Sequence, residues 1–311
     1  MEKNILAILP ISIGGRLTTS SIIDGYRQNG CKVTVYDELF ENNLQEVLEN
    51  NTFHQIVGYD YSGLKIKVDN NLEIPSVNYF SDDIRSKTSG PEWEKYLPYL
   101  EKEDNYTFYW DKALASYESF PNLHYLPHFV NFDIYQDLGN EPKFDVMFAG
   151  RLDTDYRLSC FEELVLKLPE LKVAWYAIEK HYEDARKRSK YPEIIDLCYQ
   201  GFIDNEKDMA RAINNTKIVF NMNSQGISSL NYRTMQTVAC KRLLISDYRE
   251  ELALFEGYMP FYEDFSDLIF KIENYLEDKE AYSLIVENCY KIAKQSHNSQ
   301  DCVRYMLKVV R

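Results

Sequence analysis

Two short stretches carry residue types suited to holding an anion. From Gly226 to Asp247 a polar loop containing Ser228, Ser229 and Asn231 runs into a short amphipathic helical pattern and then an apolar strand pattern. Serine and asparagine are favoured at helix starts, and the first turn of a helix leaves backbone N–H groups free to meet negative charge. Arg233 falls in that turn, where a cation opposes the helix dipole unless an anion lies beside it. The second stretch is Phe148-Ala-Gly150-Arg151-Leu-Asp-Thr-Asp-Tyr-Arg157, a strand pattern ending in a glycine turn with two arginines six residues apart. Each arginine alone reads equally well as a solvated partner of Asp153 or Asp155. Two candidate anion sites in one half of the chain read together as halves of one pyrophosphate clamp.

The elements that must position these residues alternate strand and helix. An apolar run over Asn4–Pro10 precedes Gly14-Gly15, read as a loop, then a helical pattern over Leu17–Gln28 and a strand over Lys32–Tyr36. A helix from Glu41 to Glu49 follows, with strands near 55–58, 76–80, 106–110 and 123–126. This is one parallel-sheet domain, 1–135. Asn131 to Lys143 reads as a linker. A second series, 143–290, starts with the strand Phe144–Ala149 and continues with a helix from Tyr156, a strand over 171–178, a helix from Glu206 and strands over 217–221 and 242–246. From Ser266 onward the pattern is helical, with breaks near Asp278 and Ser296–Asn298, and 291–311 forms a C-terminal helix that packs back on the first domain. The expected fold class is α/β, two doubly wound Rossmann-like domains facing a cleft.

Composition narrows the functional classes. The 311 residues carry 35 basic against 49 acidic side chains, a net charge of −14. Such a chain repels nucleic acid over most of its surface, so no nucleic-acid partner is expected, and a phosphate site must be built locally from arginines and amides. No apolar run approaches the roughly 20 residues that span a bilayer, which points to the cytoplasm with peripheral membrane contact at most. The six cysteines lack metal or disulfide spacing, and no histidine has metal-ligand spacing.

The run from Phe144 to about Tyr275 resembles the donor-binding domain of GT-B glycosyltransferases, in particular the branch of the spore maturation protein CgeB. The resemblance rests on Gly150-Arg151, Phe220-Asn-Met-Asn223, Arg233-Thr-Met-Gln236-Thr-Val-Ala239-Cys240-Lys241 and Leu243-Leu-Ile-Ser-Asp247, continued by 251–257 and 262–268. It implies a GT-B fold and transfer of a sugar from a nucleoside diphosphate sugar, as in cell-surface glycan biosynthesis, with no cofactor and no metal. The acceptor, a glycan, a lipid-linked group or a protein, stays open, as do two alternatives: a non-catalytic nucleotide-sugar-binding protein and a GT-B-fold sugar-nucleotide epimerase. Two positions depart from the family: Gln236 stands where a ribose-binding glutamate is expected, and Lys241 where a glycine is. A glutamine still hydrogen-bonds vicinal hydroxyls but without the stronger charge-assisted bond.

The donor site implied is Gly15, Arg151, Arg157, Phe202, Ile203, Asn223, Ser229, Leu230, Asn231, Arg233 and Gln236, with Phe202-Ile203 beneath the nucleobase. Arg151 and Arg233 are the expected catalytic cations. Asp83, after the apolar strand 76–80, is the candidate to orient or deprotonate the acceptor hydroxyl; it reads equally as the partner of Arg85, with Asp82 capping the next helix. Asp153-Thr-Asp155 satisfies a metal–diphosphate string, but its place after Gly-Arg suggests a helix-start cap.

Overall fold

The computed structural model describes residues 3–40, 43–223 and 227–310, so Glu41 and Gly226 lie outside the described residues. The chain divides into two compact units: unit 1 holds residues 1–131, 225–232 and 296–311, and unit 2 holds 132–224 and 233–295.

Unit 1 is built on β1 (Asn4–Leu9), β2 (Lys32–Asp37), β3 (Gln55–Tyr59), β4 (Ser76–Phe80), β5 (Asn105–Tyr109) and β6 (Leu123–Tyr125). All pair in parallel in the order β2-β1-β3-β4-β5-β6, with Leu6 opposite Ile56 and Val57 opposite Val77. Every residue of β4 and β5 is buried, as expected of parallel strands covered on both faces. Between the strands lie α1 (Ile13–Gln28), α2 (Leu44–Glu49), α3 (Ser62–Asp69), α4 (Trp93–Tyr96) and α5 (Lys112–Ala115). Gly14 and Gly15 sit inside the first turn of α1, not in a loop before it. A Cβ on Gly15 would lie 2.6 Å from Ser12 Oγ and 2.8 Å from both Pro10 and Tyr59, so the glycine lets the helix start directly against two strand ends.

Unit 2 is built on β7 (Phe144–Ala149), β8 (Val173–Tyr176), β9 (Thr216–Asn221), β10 (Leu243–Asp247) and β11 (Phe261–Tyr262), parallel in the order β11-β10-β9-β7-β8. Its helices are α6 (Asp155–Lys167), α7 (Glu179–Arg188), α8 (Pro192–Cys198), α9 (Glu206–Asn214), α10 (Tyr232–Ala239), α11 (Phe265–Glu277) and α12 (Lys279–Ser296). The expected linker over 131–143 is packed chain: Tyr135 is fully buried, and Leu138 N–H donates to Asn214 Oδ1 at 2.9 Å. Thr154, between the two carboxylates of Asp153-Thr-Asp155, caps α6 by accepting the Arg157 amide. Lys241 adopts φ 52°, the left-handed conformation that favours glycine. Its N–H bonds the Val238 carbonyl and the next N–H bonds Thr237, closing α10 in a Schellman turn. The last helix, α13 (Ser299–Val309), belongs to unit 1, where Cys302, Val303 and Met306 join Ile22 and Tyr26 of α1 in the core. Val130 and residues 297–299 exchange two backbone hydrogen bonds beside it.

The segment 227–232 is held in unit 1 by one carboxylate. Asp111, fully buried after β5, accepts the backbone N–H groups of Ile227 at 2.7 Å, Ser228 at 3.0 Å and Ser229 at 3.2 Å. It also accepts the Ser228 hydroxyl at 3.0 Å and caps α5 through Leu114 N–H at 2.9 Å. Ser229 Oγ donates to the Trp110 carbonyl, and Tyr232 donates its hydroxyl to the Leu17 carbonyl. The loop amides therefore do hold an anion, and that anion is a side chain of the protein. The Ser228 hydroxyl donates to Asp111 and the Ser229 hydroxyl to the Trp110 carbonyl, so both side chains of the expected α10 cap engage the chain that follows β5.

Burial alone would push the Asp111 carboxyl up. Hydrogen bonds from Leu114, Ile227 and Ser228 outweigh burial and hold it below the ordinary range. A depressed folded pKa stabilises the protein above the unfolded value of about 3.9, and the contribution disappears as pH falls through the folded pKa. Asp111→Ala is expected to lower the unfolding free energy by roughly 3 kcal/mol at pH 7, since it orphans several buried N–H groups at about 1–3 kcal/mol each. Urea unfolding followed by circular dichroism measures this, and the difference from the parent should shrink below about pH 4.

Candidate functional site

In a doubly wound sheet the ligand crevice opens where neighbouring strands send their connections to opposite sides. In unit 2 that point lies between β7 and β9, because β7 is followed by β8 on one side while β9 lies on the other. The loops leaving these strands carry Gly150-Arg151 and Met222-Asn223.

Arg157 pins the two loops together. Its guanidinium donates to the Arg151 carbonyl at 3.0 Å, to the Met222 carbonyl and to Asp153 at 3.4 Å, and only 8% of the residue is exposed. With its donors engaged this way, Arg157 shapes the crevice wall. Arg151 differs: its side chain is half-exposed and, among the described residues, its ion pair is a long contact to Asp153, 3.4 Å from Nε. Together with burial, its charge pushes His181, in the first turn of α7, below the ordinary histidine range. Sequence reasoning passed over His181; its position five residues beyond the end of β8 was the available signal. Asn223 donates from Nδ2 to Asp247 Oδ1 at 2.6 Å and to Ser246 Oγ at 3.1 Å, tying the ends of β9 and β10 together. Its buried Oδ1 has no partner among the described residues, an acceptor still unused.

Arg233, in the first turn of α10, donates to the Gln236 side-chain oxygen, and Gln236 Nε2 donates to the Tyr135 hydroxyl. Gln236 is fully buried, so both ends of its amide serve this chain, with Arg233 at one end and a core tyrosine at the other. Residues 199–201 run parallel beside β8, with Ala177 N–H bonding the Gly201 carbonyl at 3.1 Å. This carries Phe202 and Ile203 to the carboxyl edge of the sheet, where Phe202 is 44% exposed. Arg151, Arg157, Phe202, Ile203, Asn223, Arg233 and Gln236 thus all belong to unit 2.

Gly15, Asp83, Ser229, Leu230 and Asn231 belong to unit 1. Ser229 and Leu230 are fully buried in the loop that Asp111 holds, and Asn231 directly precedes α10. Asp83 is exposed and accepts the Arg85 backbone N–H at 2.9 Å in an Asx-type turn. The Arg85 guanidinium donates to Glu118 through two bonds of 2.9 Å, while Asp83 acts on it through its charge.

Residues 158–308, just under half of the chain, match the family model described as glycosyl transferase-like. No curated protein matches the chain. Several solved structures share its fold over nearly the whole length. One is a sucrose-phosphate synthase from Thermosynechococcus elongatus, at TM-score 0.74 and 11% identity, covering 99% of this chain and 98% of that one. Another is Anabaena Alr3699/HepE in complex with UDP and glucose, at 0.72 and 12%, covering 99% of each chain. A third is an alpha-glucosyltransferase in complex with UDP-glucose and DNA containing an abasic site, at 0.71 and 14%, covering 100% and 99%. The chain carries a glycosyl transferase-like domain, and its two parallel sheets have the GT-B fold.

Proposed function

We propose that this protein is a metal-independent glycosyltransferase of the CgeB-like branch, which moves a sugar from a UDP-sugar to an acceptor. The observation that carries this reading is the β7/β9 switch point of unit 2, where a half-exposed Arg151 stands over two loops pinned by Arg157. The choice of UDP follows the neighbours whose structures hold UDP or UDP-glucose. Arg151 and Arg233 stabilise the charge that builds on the departing diphosphate, an oxyanion type of catalysis. Phe202 offers an aromatic face to the uracil. Gln236 is a positioning residue that fixes the Arg233 guanidinium.

These roles separate by measurement. Arg151→Ala should weaken UDP binding by about 1.5–3 kcal/mol, the scale of hydrogen bonds to charged groups, while leaving thermal unfolding unchanged. Arg157→Ala should lower stability as well as affinity, because it frees the buried Met222 carbonyl and the part-buried Arg151 carbonyl. Calorimetric titration beside thermal unfolding checks both, and unchanged affinity in both variants would remove the site.

If Gln236 acts through Arg233, Gln236→Ala should weaken UDP binding by about 0.5–1.5 kcal/mol, and Gln236→Glu should restore it by pairing directly with the guanidinium. An alanine variant that binds UDP like the parent would detach Gln236 from the site.

Metal independence follows from arginines supplying the positive charge that a divalent ion otherwise supplies. Release of UDP from UDP-glucose, followed with and without excess EDTA, should proceed at the same rate. Loss of turnover in EDTA with recovery on added Mn²⁺ would overturn this mechanism.

A further inference from the structure

Unit 1 has a switch point of its own, between β1 and β3, since β2 lies on one side of β1 and the later strands lie on the other. A cavity of about 270 Å³ opens there. It is lined by the chain leaving β1 (Pro10 to Ser12), Glu38 after β2, the β3–α3 turn (Tyr59 to Ser62), Lys65, and the segment from Thr88 to Trp93 with Tyr96.

The turn after β3 is drawn in tightly. A Cβ on Gly58 would lie 2.2 Å from Gly63 N, and Ser62 Oγ accepts the Tyr59 N–H at 3.0 Å. Asp60 is thereby held in the left-handed conformation, at φ 49°, and is 4% exposed. Its carboxyl accepts the Ser81 N–H at 3.1 Å. The walls are aromatic. Tyr59 bonds Ser81, Tyr61 donates to the Ile84 carbonyl at 2.9 Å and Tyr96 donates to Asp69 at 2.9 Å, so these hydroxyls are satisfied and the rings form the cavity surface with Trp93.

The polar groups define the ligand's charge. Burial pushes the Glu38 carboxyl above the ordinary range, and Lys65, the cation in the lining, lies close enough to oppose that rise. Glu38 also accepts the Ile11 backbone amide at the head of α1, so a side chain already answers the anion-binding end of that helix. Burial, with the Asp82 carboxylate nearby, pushes Asp60 well above the ordinary carboxyl range, which favours its protonated form, able both to donate and to accept, relative to an exposed carboxyl. No arginine is in the lining, and Glu92 adds negative charge at the edge. An anionic ligand meets repulsion here, whereas a ring of hydroxyls over apolar faces meets aromatic surface and carboxyl acceptors. The volume falls just short of the roughly 300 Å³ at which pockets for drug-sized ligands begin, which limits the occupant to about one small ring.

We propose that this cavity binds one uncharged carbohydrate ring, stacked on Trp93 and hydrogen-bonded by Glu38 and Asp60, and, given the sugar-transfer reading above, that this ring belongs to the acceptor. The test uses the full chain, with a panel of methyl hexopyranosides (gluco, galacto and manno, both anomers), glucose 6-phosphate and UDP, each titrated separately by saturation-transfer NMR. At least one methyl hexoside should bind. Glucose 6-phosphate should bind more weakly than that hexoside. Glu38→Gln, which preserves shape, and Trp93→Ala should each weaken the hexoside by about tenfold or more and leave the UDP titration unchanged. The assignment is overturned if no hexoside binds while UDP does, if glucose 6-phosphate binds more tightly than every methyl hexoside, or if both variants bind like the parent. Hexoside binding without UDP binding would support the cavity assignment while removing the sugar-transfer reading.

Discussion

A charge taken out of water must be answered by the protein, and in each unit one buried charge organises the backbone around it. In unit 1 the Asp111 carboxylate gathers three consecutive amides of the 227–229 loop and the first turn of α5. In unit 2 the Arg157 guanidinium gathers the carbonyls that follow β7 and β9. Neither group is free to meet a ligand. Each makes rigid the loops that a parallel sheet leaves at its carboxyl edge, where a ligand is expected.

This division of labour explains why only some of the polar residues at these edges remain open. Arg151 is held by little more than one long contact to Asp153, and Asn223 is fixed by Asp247 with one acceptor unused. Rigid support beneath and an uncommitted group above is the arrangement needed for binding groups to sit in place before the ligand arrives, which reduces the entropy lost on association. Gln236 extends the pattern by fixing the Arg233 guanidinium from one side and Tyr135 from the other.

Much of the fold was legible in the amino-acid sequence because parallel strands buried on both faces read as unbroken apolar runs: Ile5–Ile8, Val146–Phe148 and Leu243–Ile245 are such runs and are the centres of β1, β7 and β10. The strand-to-helix switch after Gly150 was legible for the same reason. What stayed hidden depends on long-range partners. Nothing local separates Asp111, which binds residues more than a hundred positions away, from any other carboxylate after a strand. Arg151 and Arg157 look alike in the chain, yet one reaches solvent and the other is sealed by the Met222 carbonyl. Gly14-Gly15 looked like a loop because glycine disfavours helices, and at Gly15 the close approach of Pro10 and Tyr59 reverses that preference. The glycine-to-lysine departure at 241 marks a left-handed residue at the end of α10, where Lys241 also pairs with Glu287 at 2.8 Å.

Unit 1 is assembled from three separated stretches of chain, and the last of them, 296–311, supplies Cys302, Val303 and Met306 to its core. During synthesis, therefore, the core packed on the unit 1 sheet is completed only once α13 has left the ribosome, after the residues of unit 2 have emerged. Domains generally mature in order from the amino terminus. Here the order is inverted: the sheet of unit 1 must wait with the α13-facing side of α1 uncovered, and the nascent chain is exposed to premature association until α13 has emerged.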